Sequence, residues 1–240
     1  MRLLPSVFQV GGPALTHSND ATAYLLTVGD ALYLIECGTP EGYELLQRNI
    51  RKLGFDPARV KRIYGTHGHY DHVGAAARFA EDYYTELYLH EADREQVESG
   101  DDVRTTASLL YGHTFPPAKV HHPLTGGMSF TVDAGVVETL HTPGHSMGSC
   151  CFVLTHICGM VLLFGGDTLS GGFSPRIGSD EDVWRNSLNK LCERNYDCYT
   201  MGHTPPILLC DANARLDSLR RSFANYYTPW FKNFYEDYRY

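Results

Sequence analysis

Thr66-His67-Gly68-His69-Tyr70-Asp71-His72 sets three imidazoles and a carboxylate within one short stretch. His67 and His69 are two apart, so in extended chain both rings project to the same side. Gly68 between them lets the backbone approach closely. Asp71 and His72 follow where the chain turns towards a helix, and there they can face a second point nearby. Imidazole with carboxylate suits zinc, with iron or manganese as alternatives. Taken by itself, the segment also reads as a solvated His-rich turn.

Three further sites repeat the theme. Thr142-Pro143-Gly144-His145-Ser146 puts a histidine in a tight turn between predicted strands. Gly165-Gly166-Asp167-Thr168 puts an aspartate at the end of an apolar run, and Gly202-His203-Thr204-Pro205 puts a histidine after a short strand. Each is weak alone. In common they set a ligand-type side chain at a strand exit beside glycine or proline, where loops can converge on one point.

The elements that must hold these loops are legible from periodicity. Strands are predicted over 21–28 and 31–36, joined by the Gly29-Asp30 hairpin signal. A helix over 41–53 carries Leu46, Ile50 and Leu53 on one stripe, and a strand over 60–65 leads into the histidines. A second helix over 74–83 buries Ala76, Phe79, Ala80 and Tyr83; a strand over 87–89 and a helix over 91–110, broken near Gly100, come next. The stretch 112–123 reads as an exposed Pro- and His-bearing loop. Four strands are predicted over 128–132, 136–141, 150–155 and 160–164, then a helix over 180–194 striped by Trp184, Leu188 and Leu191. A short strand over 198–201 precedes a helix capped by Asp211, with Leu216, Leu219, Phe223, Tyr226 and Tyr227 on its stripe. No linker separates two cores, so 1–240 reads as one domain ending in an aromatic tail that holds Trp230, Phe231 and Phe234. This order predicts two sheets packed together with helices outside.

Composition excludes several classes. With 43% hydrophobic residues the chain is neither disordered nor fibrous. Its longest apolar runs (31–35, 150–154, 160–164) are far below the roughly 20 residues a membrane helix needs. A net charge of -8 without a basic run argues against nucleic-acid and anionic-membrane partners. Seven cysteines, two of them adjacent, and a start interrupted by Pro5, Ser6 and Gln9 lead to an expectation of reduced thiols in the cytoplasm. Cys150 and Cys151 read as small buried residues.

At the quoted motifs the chain resembles the metallo-β-lactamase superfamily of binuclear metallohydrolases, and is most similar to its glyoxalase II and lactonase branches. The family pattern is an H-x-H-x-D-H segment, then a His, a bridging Asp and a last His; it is present in that order, and the resemblance spans 19–203. It implies that His67, His69 and His145 hold a first divalent metal, that Asp71, His72 and His203 hold a second, and that Asp167 bridges both. It also implies the four-layer αββα sandwich, two mixed β-sheets with helices outside. Glu36 stands where the family commonly has an aspartate, which bears on the support of the histidine loop. Asp167 stands where lactam-cleaving members often carry cysteine, and His69 where the flavin-linked diiron branch carries glutamate; both readings are disfavoured.

The implied activity is hydrolysis of an ester, lactone or thioester of a small molecule by a hydroxide shared between two metals, zinc first. Asp71, to orient the hydroxide, and Asp167, to bridge, are the candidate catalytic residues. Phosphodiester or phosphotriester cleavage on the same site is one alternative. A mononuclear-iron sulfur dioxygenase using His67, His145 and Asp167 is another. Besides the substrate, the expected partner is a second copy of the chain. His113, His121, His122, Arg176, Tyr111, Phe115, Phe173 and Trp184 are candidate pocket residues, and His141 a candidate support for the metal loop.

Overall fold

The structure is a computed structural model that describes residues 1–203 and 212–223. Asp211, Tyr226, Tyr227 and the aromatic tail lie outside the described residues. The chain runs β1 (Arg2–Leu4), β2 (Val7–Gln9), β3 (Tyr24–Val28), β4 (Ala31–Ile35), α1 (Tyr43–Lys52), β5 (Val60–Tyr64), α2 (Tyr70–Val73), α3 (Ala76–Tyr83), β6 (Glu86–His90) and α4 (Glu91–Ser99). It continues through β7 (Val120–Leu124), β8 (Ser129–Val132), β9 (Gly135–His141), β10 (Cys150–His156), β11 (Val161–Phe164), α5 (Glu181–Cys192), β12 (Cys198–Thr200) and α6 (Ala212–Phe223).

Strand alternation dictates the layering. Successive residues face opposite sides of a sheet, and here both sides are apolar. On β3 and β4, Leu25, Leu32 and Leu34 join Tyr43, Leu46, Ile50 and Phe79 under α1 and α3. Tyr24, Leu26 and Ile35 instead meet Phe152, Leu154, Leu162 and Phe164 from β10 and β11 in the space between the sheets. The other face of β10 and β11, with Cys151, Val153 and Leu163, packs on Trp184, Leu188 and Leu191 of α5. Three apolar interfaces thus stack four layers in the order αββα. Each fully buried Leu or Phe contributes on the order of 1.5–3 kcal/mol.

The first sheet has the order β1-β2-β3-β4-β5-β6-β7, antiparallel up to β4 and parallel beyond it. The second has the order β12-β11-β10-β9-β8, with only the β11–β12 pair parallel. Both sheets are therefore mixed. The hairpin expected at Gly29-Asp30 joins β3 to β4, with Val28 opposite Ala31.

The structure departs from expectation at several elements. The N-terminal strands β1 and β2 are too short to show a period. The stretch expected as an exposed loop contains β7, which buries Val120 and Leu124 while leaving His122 and Pro123 exposed. An edge strand tolerates that proline because no outer neighbour needs its missing N–H. The helix expected over 91–110 ends at Ser99 on Gly100, whose backbone is left-handed (φ 70°). Beyond it Thr106 is also left-handed (φ 67°), and the chain makes a single wide turn over 107–111. Cys150 and Cys151 are fully buried and unpaired, as expected.

Candidate metal centre

All seven expected ligand residues converge at one end of the two sheets, on loops leaving β5, β9, β11 and β12. After β5 the chain bends over 66–68, and His69 is extended (φ -87°, ψ 156°) before α2 begins. The rings of His67 and His69 lie together, with centroids 4.3 Å apart. The turn into α2 swings Asp71 and His72 to a neighbouring point, where they meet His203. Gly144 lets the His145 loop pass α5: its φ is 138°, and an added Cβ would lie 2.2–2.5 Å from Trp184.

Three donor groups result; Glu36 with His67 and His72 form one, and the other two match the expected ligands. Of these two, His67, His69 and His145 form one, with His145 Nε2 3.1 Å from His69 Nδ1. Asp71, His72 and His203 form the other, with Asp71 Oδ2 2.9 Å from His203 Nε2 and 3.3 Å from His72 Nε2. Asp167 lies between them: its Oδ1 is 3.5 Å from His72 Nε2, and its Oδ2 is 3.6 Å from His145 Nε2 and 3.5 Å from His203 Nε2. Zinc–nitrogen bonds of about 2.0–2.1 Å at tetrahedral angles place donors roughly 3.4 Å apart. The buried Nε2 of His67 has no hydrogen-bond partner, and that of His72 faces only the carboxylates of Asp71 and Asp167. Nitrogens kept dry and unpaired are costly, so the donor set fits a metal.

The groups behind the imidazoles fix which nitrogen points inward. Glu36 Oε1 accepts from the Thr66 backbone N–H (3.2 Å), from the Thr66 hydroxyl and from His72 Nδ1–H (3.1 Å). The Thr66 hydroxyl, donating to Glu36, in turn accepts from His67 Nδ1–H at 3.0 Å. His145 Nδ1–H donates to the Gly172 carbonyl at 2.7 Å. In all three rings Nε2 is left for a metal, the usual division of labour in such sites. The glutamate found where the family commonly has an aspartate thus supports His72 directly and His67 through Thr66.

Charge divides the two sets. Burial and the neighbouring imidazoles hold His67 and His69 well below the usual histidine range, and burial also lowers His145. Burial opposes charge on His72 as well, but Asp71, Glu36 and Asp167 hold it well above that range. His203 is pushed up to about 10 against burial, by Asp167 and Asp71. Burial would raise both aspartates; His72 and His203 beside them hold both well below the usual carboxylate range.

One supporting residue gives no signal in the sequence. Asp93, buried in the first turn of α4, accepts from Gly68 N–H (2.8 Å) and the Ser146 hydroxyl (2.7 Å) on Oδ2, and from Gly148 N–H (2.8 Å) on Oδ1. It ties the His67–His69 loop to the His145 loop. In the sequence it looks like any acidic residue favoured by a helix N-terminus.

Several candidate pocket residues lie elsewhere. Phe115, Phe173 and Trp184 are buried core residues, although the Phe173 ring centroid is 6.5 Å from that of His145. His121 accepts from Leu87 N–H, and His122 stacks on Tyr88, both along edge strand β7. Arg176 is exposed in a short turn. Tyr111 and His113 pack on Tyr70, whose hydroxyl donates to Glu41. His141 stacks on His90 and lies 3.0 Å from the Met147 carbonyl, outside the metal cluster.

A four-layer αββα fold carrying a histidine–aspartate cluster where its sheet ends meet is the architecture of a metal-binding protein. The family description "Metallo-beta-lactamase superfamily" matches residues 19–203, and the chain belongs to that superfamily. The probable metallo-hydrolase YqgX of Bacillus subtilis is 27% identical over 77% of this chain and 85% of its own length. A hydroxyacylglutathione hydrolase of Pseudoalteromonas translucida is 30% identical over 77% of this chain and 56% of its own. An atrochrysone carboxyl ACP thioesterase of Passalora fulva is 27% identical over 82% and 54%. The chain thus spans only about half the length of these last two relatives. In fold it is similar to the subclass B3 metallo-β-lactamase BJP-1 of Bradyrhizobium japonicum (TM-score 0.75, 22% identity, 93% of this chain and 91% of that one).

Proposed function

We propose that the chain is a two-metal hydrolase of a small-molecule acyl compound, a thioester first and an ester or lactone next. The observation that carries this reading is Asp167 set between two donor triads. A one-iron dioxygenase would leave Asp71, His72 and His203 without a task, yet the ligand atoms of these three also lie within 4.8 Å of one another. When bound, the metals, zinc first, supply a Lewis acid and a water acidified towards neutrality. The chain's own residues do the positioning: Glu36, Thr66 and the Gly172 carbonyl aim the imidazoles, and Asp71 offers the carboxylate that orients the nucleophile. Acyl substrates are favoured over phosphoesters because two relatives are named as a hydroxyacylglutathione hydrolase and an ACP thioesterase.

Elemental analysis joined to a substrate screen tests this. About two zinc ions per chain, with turnover of acyl thioesters, esters or lactones exceeding that of phosphodiesters, is the expected result. One iron with oxygen consumption, or phosphoester turnover alone, overturns it.

A further inference from the structure

Beside the metal centre lies a small cavity that none of the roles described so far uses. Tyr24 and Glu36 reach it from the first sheet and its following turn, Phe164 and Thr200 from the second. Thr66, Gly166 and Gly202, each immediately before a proposed ligand, also line it. The space open to the centre of a water-sized sphere is about 10 Å³, close to the minimum for one water molecule. Glu36 Oε2 is buried without any partner, and the equally buried Tyr24 hydroxyl has the Thr200 and Thr22 side chains near it without a well-formed hydrogen bond to either. Glu36 and Tyr24 are each only 2% exposed. An apolar void of this size stays dry, but one bordered by an orphaned carboxylate oxygen and a hydroxyl with no well-formed hydrogen bond offers a water the polar contacts it needs.

The backbone supports the same reading. Glu36 has φ 63°, a left-handed conformation uncommon for a residue with a side chain and kept where the surroundings demand it. That conformation accompanies a carboxylate with one oxygen on Thr66 and His72 and the other without a partner in the chain. Aromatic packing fixes Tyr24 in turn, its ring 4.9 Å from that of Phe164.

We infer that this cavity holds one structural water, which accepts a hydrogen bond from the Tyr24 hydroxyl and donates one to Glu36 Oε2. Tyr24 is then a positioning residue: through the water it holds Glu36, and through Glu36 it aims His72 and, by way of Thr66, His67. The cavity site stands on its own, whereas the positioning role rests on the reading of His67 and His72 as metal ligands.

A high-resolution crystal structure of the intact chain and the variants Tyr24→Phe and Glu36→Gln test it. The expected density is one isolated peak within hydrogen-bonding distance of both Tyr24 and Glu36. Zinc affinity, measured by competition with a chromophoric chelator, is expected to fall about tenfold in Tyr24→Phe and by about 10–100-fold in Glu36→Gln, the range for outer supports of metal ligands. The melting temperature of metal-free Tyr24→Phe, which keeps its packing on Phe164, is expected to stay near that of the parent. A direct Tyr24–Glu36 hydrogen bond with no density between them overturns the water site. Unchanged zinc affinity in Tyr24→Phe overturns the positioning role. No arm depends on turnover. If the parent binds a single ion, the two-metal reading fails while the density and the affinity ratio still decide this one.

Discussion

Asp167 meets three imidazoles with two oxygens, reaching His145 of the first donor set and His72 and His203 of the second. Its neighbours already hold it ionised without a metal, so its charge is available when ions arrive. Asp167→Asn keeps the volume but removes the charge and one acceptor. We expect metal content to fall from about two ions to one or none, and hydrolysis to fall by more than the roughly 100-fold that outer-shell changes cost. Circular dichroism is expected to report an intact fold. Parent-like metal content and turnover in this variant contradict the assignment.

The loops depend on elements that hold them in register, and Asp93 on α4 is the clearest case. It satisfies three donors on two different loops, so removing it leaves buried N–H and O–H groups unpaired, at about 1–3 kcal/mol each. Asp93→Asn retains one accepting oxygen but turns an NH2 group towards the remaining donors. A loss of roughly 2–3 kcal/mol, or about 4–12 °C in melting temperature for a chain this size, is expected, with weaker metal binding at His67, His69 and His145. Thermal melts with and without zinc check this; a melting curve and zinc shift equal to the parent's exclude the clamp. This element also marks where the sequence stopped being legible. The ligand motifs could be read because imidazoles and carboxylates at strand exits are chemically conspicuous. Strands β3 to β6 and β8 to β12 could be read because their apolar residues leave a run or a period. Asp93 could not, because a carboxylate in a first helical turn has an ordinary explanation. Strands β1 and β2 span three residues each, and Pro123 disguised β7.

At the scale of the whole molecule, metal and fold are linked through protons. Any ligand that binds only the folded chain stabilises it, by about 2.7 kcal/mol at 100 times its dissociation constant. At about 2–4 °C per kcal/mol for this size, chelation is expected to lower the melting temperature by roughly 5–11 °C. The pH dependence follows from the two donor sets. His67, His69 and His145 lie below their ordinary value and are neutral at pH 7, so they release no proton when metal binds there. His72, held well above its ordinary value, and His203, raised to about 10, must each lose one. Their raised values stabilise the metal-free fold fully below about pH 6.5, and that contribution fades as pH climbs towards 10. The metal-loaded chain has no such contribution to lose, and its affinity gains up to about 1.4 kcal/mol per pH unit for each proton displaced. Between pH 7 and 9 the gap in melting temperature between zinc-loaded and chelated protein is therefore expected to widen. Paired melts across that range measure it directly, and a gap that stays constant or narrows means that His72 and His203 do not give up protons to a metal.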